Sequence, residues 1–566
     1  MITKVLSSRW IKFYFALSVA AFVLLEITTI RLEINLYNAV GIPLNILVAF
    51  ILSLVLDNKY HLLDFIFKFR SKKYALISFP IAVYTVIEIA LAFQKFRIDR
   101  IFAGEAENAL GERIQSFLPT SLAWLLQYFF SALLGAFALF FVFCVVYAIV
   151  SRFSKHISQP LAKSIKDSDT IERWYVAVGF ILLSILVIAM YCITEIFYMT
   201  HELMDIVFTL DSTGLIERDV FFTLYSPEND IRQPLFALLT MPFAVAAKFL
   251  ARLFFFLPSP YILIMQLIQI AALLVMAVLI LRMTGIKDKI SKIAFLLMYS
   301  VTYPFLLYTF AVEQYIPATF ILILAIYVYC YKKSGHAALL ALSTGALLTN
   351  AAIVPFLTFK RKLRDWFHSI VKVVVFFIGT CIFCGKLPTL LDSLHIVSLV
   401  QSYGDIGAGE RIDLSGKLYQ FLHFIESCFL GPNTVIAENG NLMVFRLALP
   451  TDINLIGMLM FCIVATSIAI NRKLLFAKIC GLWTLFSIAL LLIIGWGAPE
   501  NGMMLYSLYI SWAFFTLAFL LIEKLFAKLI AVKYTVFAVC FAIMCIANVG
   551  RIIELIRFGI EYYPVR

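Results

Sequence analysis

Charged side chains are scarce in this chain of 566 residues: they make up 14% of it, whereas 63% of the residues are hydrophobic. The sequence also lacks a polar stretch long enough for a soluble domain, and it has no convincing internal repeat. Apolar runs of about 18 or more residues recur instead along its whole length, and runs of that length cross a bilayer as helices. The sequence therefore predicts an all-α, polytopic integral membrane protein.

The apolar runs lack the alternation of polar and apolar residues that a membrane barrel needs, so helices are the predicted spanning structure. The first run has no small-x-small cleavage site and is predicted to be a span, not a signal peptide. About 15 spans are predicted: 11–30, 40–56, 74–93, 120–150, 174–200, 260–282, 293–309, 315–331, a broken or re-entrant pair within 336–359, 367–385, 453–470, 475–494, 504–522 and 534–550.

The sequence also has few cysteine and histidine residues at the spacings of a metal site. The ten cysteines lie mostly inside apolar runs, where cysteine behaves as a small hydrophobic residue. Cys381 and Cys384 form a CxxC motif, but no second pair and no histidine lies close enough to complete a zinc site. The residues indicate no certain cofactor, and a divalent cation stays an open alternative that no motif supports. We also expect no nucleic-acid partner, because the Lys and Arg residues behind the net charge of +12 form short clusters between spans.

The Lys and Arg clusters predict the orientation of the chain in the plasma membrane. They place the N-terminus in the cytoplasm and the C-terminus outside, and they leave two large outer loops, 201–259 and 386–452. The segment 235–254 is apolar apart from Lys248 and Arg252. We predict that it lies in the outer interface as an amphipathic helix, since counting it as a span would invert every later loop. The basic clusters include 152–173, 282–292, 360–364, 471–478 and 523–533.

Carboxylates gather in the first outer loop, which contains "FTLDSTGLIERDVFFTLYSPENDIRQPLF". Asp211 lies where an apolar stretch meets Ser-Thr-Gly, and a partly desolvated carboxylate at such a boundary gains basicity. A base at this place can activate a hydroxyl. Asp211 is therefore the first catalytic candidate, and Asp205, near the end of the preceding span, is the second. The other acidic residues of the loop are interpreted as solvated.

Arg232 precedes Pro234, which is a residue typical of the first turn of a helix. A cation beside a helix N-terminus suits a phosphate group, because the backbone N–H groups there also attract anions. A salt bridge from Arg232 to Asp230 or Glu228 is an equal alternative on the sequence alone.

A long apolar helix, an outer loop with an Asp, and then "RQPLF" resemble the GT-C superfamily of membrane glycosyltransferases. The resemblance covers about 174–550. Members of that superfamily take a sugar from a polyprenyl-phosphate carrier and transfer it on the outer face of the membrane. The resemblance implies that Asp211 is the catalytic carboxylate. Gln233 stands where many relatives carry His, and Ser212 follows Asp211 where several subfamilies have a second acid. This favours activation by a lone carboxylate and gives a divalent cation no support.

Three later segments add to the resemblance: "YTFAVEQYIP" with Glu313, the broken helices of "STGALLTN", and "GWGAPENGMMLYSLYISW" with Glu500. The implied reaction moves a sugar, with inversion, to a hydroxyl of a lipid, glycan or protein acceptor. A solvent-exposed loop position is the alternative for Glu313. The domains expected are a four-helix module at 1–151 and the GT-C-like module at 152–566. The predicted substrate-binding residues are Arg232, Gln233, Glu313, Arg411 and Glu500, with Lys386 as a further phosphate candidate.

Two other classes of function remain open at this stage. A transporter or flippase for a lipid-linked or small solute would be expected to bury ionisable residues at mid-bilayer and to show repeats. The predicted spans contain few such residues, Glu26, Glu88 and Glu195 among them, and the carboxylates in the outer loops favour surface chemistry. A non-catalytic scaffold is the third interpretation, in which Asp211 has no chemical role.

Overall fold

The structure is a computed structural model, and Asp169–Arg566 forms one compact unit in it. The first four predicted spans lie outside the described residues, so the total of 15 spans and the domain boundary at 151 stay predictions. The residues described are 169–199, 206–208, 210, 212–222, 232–332, 337–359, 362–383, 414–439, 441–448, 452–494 and 502–565.

Among the described residues of this unit most are helical, and an antiparallel hairpin accompanies the helices. The strands are β1 (Thr434–Asn439) and β2 (Leu442–Leu447), with Ile436 opposite Phe445. The helices in chain order are α1 (Thr170–Ile193), α2 (Ser212–Glu217), α3 (Phe236–Leu253), α4 (Pro260–Thr284), α5 (Lys289–Ser300), α6 (Tyr303–Phe310), α7 (Tyr315–Lys332), α8 (Ala337–Ala346), α9 (Val354–Leu357), α10 (Leu363–Phe383), α11 (Leu414–Ser427), α12 (Leu455–Ile470), α13 (Leu475–Ser487), α14 (Ser507–Leu525) and α15 (Ile530–Tyr562).

Six of the described helices are long and apolar enough to cross a membrane, and the bent pair α5–α6 would make a seventh. The six are α1, α3, α4, α13 with its continuation to Ile493, α14 with the turn before it, and α15. A helix of 24 residues such as α1 is about 36 Å long, which exceeds the roughly 30 Å of a hydrocarbon core. The mostly helical, membrane-embedded character predicted from the sequence is thus confirmed.

Every span predicted after residue 170 coincides with a helix or a pair of helices, but three details differ. The β1–β2 hairpin lies in a segment predicted as outer loop, so the all-α class holds only apart from this hairpin. The same loop also contains α11. The last helix continues to Tyr562, twelve residues beyond the predicted end, because its final turns pack on β2 through Phe558 and Phe445.

Ion pairs join the helix ends that carry the basic clusters. We call this side of the bundle the basic end; its pairs are Glu172–Arg282 at 2.6 Å, Asp169–Lys292 at 2.9 Å and Glu523–Lys533 at 3.3 Å. Because Glu172 begins α1 and Arg282 ends α4, these two helices run antiparallel. The chain between them therefore leaves and re-enters the bundle at the opposite side. This agrees with a single loop over 201–259, while the interfacial placement of α3 stays a prediction.

The opposite side, which we call the loop end, is where the predicted outer segments meet. The Thr194 hydroxyl donates to the carbonyl oxygen of Tyr563 at 2.9 Å, and the Tyr308 hydroxyl donates to that of Leu505 at 2.6 Å. The N–H of Phe208 donates to the carbonyl oxygen of Phe445 in β2 at 2.7 Å. Segments far apart in sequence are thus joined at one end of the bundle.

Cysteine labelling tests the predicted topology. We expect Ser212→Cys, at the loop end, to react with a membrane-impermeant maleimide in intact cells. Lys362→Cys, within the basic cluster 360–364, is expected to react only after the membrane is opened. Both probes are placed in a background without reactive native cysteines. Labelling of both positions from the same side would contradict the arrangement.

The α5–α6 break has a specific cause. Pro304 lies in the first turn of α6 and has no N–H to continue the hydrogen bonds of α5, and the two axes differ by 57°. The fully buried Asn548 amide of α15 donates to the carbonyl oxygen of Val301 at 2.6 Å. This bond gives a backbone acceptor at the break a hydrogen-bond partner. The break directs α6 toward the loop end, where Glu313 follows it.

Asp288 caps α5 at the basic end, and its charge contributes to stability. Burial alone would raise the pKa of this carboxyl, but hydrogen bonds from the Ser291 hydroxyl and N–H and from Tyr534, with the charge of Lys533, lower the pKa to about 2. A depressed pKa contributes stability above its ordinary value of 3.8, and this contribution is lost as the pH falls toward 2.

We therefore expect Asp288→Asn to be less stable than the wild type at neutral pH and to lose less stability on acidification. The measurement is the thermal unfolding midpoint in detergent as a function of pH. Equal acid dependence of the two proteins would show that Asp288 makes no such contribution.

Candidate functional site

The "RQPLF" segment is hydrogen-bonded to the break in the "STGALLTN" helix pair. The N–H of Leu348 donates to the Arg232 carbonyl oxygen at 2.7 Å, and the N–H of Leu235 donates to the Gly345 carbonyl oxygen at 2.9 Å. The Gly345 carbonyl oxygen and the Leu348 N–H can bond outside the helix pair because α8 ends at Ala346 and a short 3-10 helix, Leu348–Ile353, follows it. The break in this helix pair thus gives the start of α3 its hydrogen-bond partners.

Gly345 is required for this contact. A Cβ atom at this position would lie 2.6 Å from the Cβ of Leu235, which is closer than two carbon atoms approach. Leu235 is fully buried and packs on Cys381 of α10. Only a residue without a side chain allows the two backbones to meet here.

Tyr509 of α14 joins the broken pair to the rest of the bundle. Its hydroxyl donates to the Asn350 Oδ1 at 2.9 Å and accepts from the Thr349 hydroxyl at 2.8 Å. The Asn350 Nδ2 in turn donates to the Ser343 carbonyl oxygen at 2.9 Å. Tyr509 and Asn350 are fully buried, so the bonds hold the irregular backbone of the break where no water can do so.

Glu313 is fully buried in the turn between α6 and α7, which excludes the solvent-exposed interpretation of this residue. Gln269 of α4 holds the turn with both ends of its amide: Nε2 donates to the Glu313 carbonyl oxygen at 3.0 Å, and Oε1 accepts from the Glu313 N–H at 3.1 Å. The Glu313 Oε1 accepts from the N–H of Gln314 at 3.0 Å. The carboxyl group is therefore fixed by the backbone around it.

Aromatic contacts connect Glu313 to Tyr509. Tyr315, two residues after Glu313, has its ring centre 5.4 Å from that of Tyr506 and 6.3 Å from that of Tyr509. The set formed by Gln269, Glu313, Tyr315, Tyr509 and Asn350 is called the polar chain below. It runs through α4, α7, α14 and the broken pair, and it reaches "RQPLF" through Leu348.

The predicted site residues divide into two groups. Glu313 belongs to the polar chain, and Arg232 and Gln233 lie next to it on the segment bound to the broken pair. Arg232 is exposed, whereas Gln233 is buried and its Oε1 receives no hydrogen bond from a described residue. The predicted residues outside the described ranges are Asp205, Asp211, Lys386, Arg411 and Glu500.

The sequence analysis missed Gln269 and Tyr509 as members of the site. Gln266 and Gln269 are fully or almost fully buried, one helical turn apart, in the apolar run "YILIMQLIQIAALL". Paired amides in a membrane helix are costly to bury without partners, and this signal was available from the sequence. Tyr509 gave no comparable signal, because tyrosine is common in spans near the interface.

The arrangement offers buried hydrogen-bond acceptors and, on the segment bound to the broken pair, an exposed cation. The Gln266 Nε2 donates to the carbonyl oxygens of Tyr308 and Thr309, and no described residue donates to its Oε1. Such acceptors suit a ligand rich in hydroxyl groups. Within the part of the chain that the structure describes, no group of three or more His, Cys, Asp or Glu side chains is arranged to hold a metal ion. A comparison with known protein families, curated proteins and solved structures finds no match for the chain.

Proposed function

We propose that the protein is a membrane glycosyltransferase that moves a sugar from a polyprenyl-phosphate donor to an acceptor hydroxyl at the loop end. The observation that carries the proposal is the meeting of segments that were singled out separately in the sequence. "RQPLF", the turn with Glu313, the "STGALLTN" break and the tyrosines Tyr506 and Tyr509 at the start of α14 converge on the polar chain. They are separated by up to some 270 residues in sequence, so their convergence is a property of the fold.

Each part has a role in the proposed reaction. The Asp211 carboxylate takes the proton of the acceptor hydroxyl. The acceptor oxygen bonds to the anomeric carbon as the bond from that carbon to the phosphate oxygen breaks, so the configuration inverts and polyprenyl phosphate leaves. Arg232 binds the phosphate, whose charge grows as the bond breaks. Glu313 and the buried amide oxygens of Gln233 and Gln266 accept hydrogen bonds from sugar hydroxyls.

Release of polyprenyl phosphate tests the proposal whichever sugar the donor carries. The purified protein is reconstituted in vesicles with a set of polyprenyl-phosphate sugars and a membrane extract as the acceptor source, and the released carrier is measured. Protein-dependent release from at least one donor is the expected result. No release from any donor would contradict the proposal.

Arg232→Ala is expected to weaken donor binding by about 1.5–3 kcal/mol, since one charged hydrogen bond to the phosphate is lost. The apparent KM for the donor should therefore rise roughly ten- to a hundredfold, with little change in kcat. Arg364→Ala is the matched control, because Arg364 is an exposed arginine at the basic end. An unchanged KM in the Arg232 variant would remove this residue from phosphate binding.

Transport of a lipid-linked or small solute is the second candidate. Glu313 and Gln269 are buried inside the helix bundle, next to a broken helix pair, which is where transporters place their binding sites. Vesicles loaded with the same lipid-linked sugars distinguish the two functions. A transporter would move the intact sugar-lipid between leaflets, whereas the enzyme separates the sugar from the carrier.

A further inference from the structure

Asp219 lies two residues after the end of α2, and its carboxylate contacts two other helices, α3 and α4. Its Oδ1 accepts from the Tyr261 hydroxyl of α4 at 2.6 Å, and its Oδ2 lies 2.6 Å from the Lys248 Nζ of α3. Both charged side chains are about a quarter or less exposed. The Lys248 Nζ also lies 4.0 Å from the centre of the Phe222 ring, so the ammonium is enclosed between a carboxylate and an aromatic face.

Asp219 has a left-handed backbone conformation. Its φ of 47° lies in a region that Asp and Asn adopt more readily than other residues with a Cβ. The carboxylate contacts to Lys248 and Tyr261 contribute to holding this conformation.

Two further sets of contacts attach the same segment on either side of Asp211. On the C-terminal side, the Thr240 hydroxyl of α3 donates to the Phe221 carbonyl oxygen at 2.8 Å. On the N-terminal side, the segment 206–208 exchanges backbone hydrogen bonds with β2: the N–H of Phe208 donates to the Phe445 carbonyl oxygen at 2.7 Å, and the N–H of Phe445 donates to the Ile206 carbonyl oxygen at 2.8 Å. The chain is thus anchored at 206–208 and at 219–221, before and after α2.

We propose that Asp219, Lys248 and Tyr261 form a clasp that holds α2, which directly follows Asp211 in the sequence, in place at the loop end. Asp219 and Lys248 are positioning residues in this proposal and do not touch the substrate. The catalytic consequence rests on the proposed function, but the closure of the clasp does not. Without the clasp, the C-terminal side of α2 loses its charged contacts, and α2 separates from the bundle more readily.

Leu215 of α2 reports on this separation, since it is fully buried while the clasp is closed. Leu215→Cys is placed in a background where the other native cysteines except the buried Cys480 are replaced by alanine. We expect the rate of maleimide labelling at position 215 to rise about ten- to a hundredfold in Asp219→Asn and in Lys248→Met, as expected for the loss of a charged hydrogen bond. Lys248→Arg keeps the ion pair and should label slowly.

The controls separate local opening from general destabilisation. Lys292→Met removes the Asp169–Lys292 pair, which has similar exposure and lies at the basic end, and it should leave labelling at 215 unchanged. The double variant Asp219→Asn with Lys248→Met should label no faster than either single variant, because each alone opens the clasp. Unchanged labelling at 215, or equal acceleration at Cys480, would overturn the proposal.

Activity gives the second readout. In the carrier-release assay, Asp219→Asn and Lys248→Met should lower kcat about tenfold or more and leave the donor KM near the wild-type value, with Lys248→Arg close to wild type. Faster labelling with unchanged kcat would overturn the positioning role. If the wild type releases no carrier, the proposed function fails while the labelling result still decides whether the clasp exists.

Discussion

Asp211→Asn is expected to lower the rate of carrier release by about a hundred- to ten-thousandfold, because general-base catalysis typically contributes that much. The substitution keeps the size of the side chain and removes its ability to take a proton. Arg232 is unchanged in this variant, so binding of the donor should remain near the wild-type value. The effect of Asp211→Asn is therefore on kcat, in contrast to the effect of Arg232→Ala on KM.

The measurement is carrier release at saturating donor, together with binding of the donor by the purified variant. Glu217→Gln is the matched control, because Glu217 is an exposed carboxylate of the same segment at the end of α2. It should retain most of the activity. Wild-type turnover in Asp211→Asn would remove Asp211 from the mechanism, and Asp205 or Glu313 would then be tested as the base.

Gly345→Ala is expected to have the second large effect. The added Cβ would overlap the fully buried Leu235 side chain, so "RQPLF" must move away from the broken helix pair. Overpacking of this kind costs about 1–3 kcal/mol. The displaced segment carries Arg232 and Gln233. We therefore expect a higher donor KM and a lower kcat, with a lower thermal unfolding midpoint.

Two variants control this experiment. Gly379→Ala lies on the neighbouring α10, where a Cβ would meet nothing within 4 Å, and it should be neutral. Leu235→Ala combined with Gly345→Ala frees the space that the new methyl group needs, so the double variant should recover part of the lost affinity. Near wild-type behaviour of Gly345→Ala would show that the contact between Gly345 and Leu235 does not position the site.

The positions of the helices were predictable because hydrophobic runs of spanning length are a strong signal. The interruption near Gly345, Asn350 and Pro355 also predicted a break, and a broken helix pair is present there. The β1–β2 hairpin was missed although its signal is local: in "TVIAENGNLMVFRL" a Gly-Asn pair separates two short apolar runs. The length of α15 was missed because hydropathy falls after Gly550, whereas packing against β2, which is distant in sequence, continues the helix.

The site was predictable in part. Glu313 and "RQPLF" were identified, since an acid between apolar runs and a cation at a helix start are unusual. Their connection through Tyr509 and Asn350 was not, because it consists of hydrogen bonds between residues about 160 positions apart. The role of Gly345 was also hidden, since the sequence does not show that Leu235 packs against it.

A structure of the protein in nanodiscs that contain a polyprenyl phosphate tests the central claim most directly. The claim is that the polar chain and "RQPLF" together form a site for a lipid-linked sugar at the loop end. We predict density for the phosphate within hydrogen-bonding distance of the Arg232 guanidinium, with the isoprenyl chain leaving between the helices beside the polar chain. A carrier bound elsewhere, or a water-filled passage through the bundle past Gln269 and Glu313, would contradict the claim.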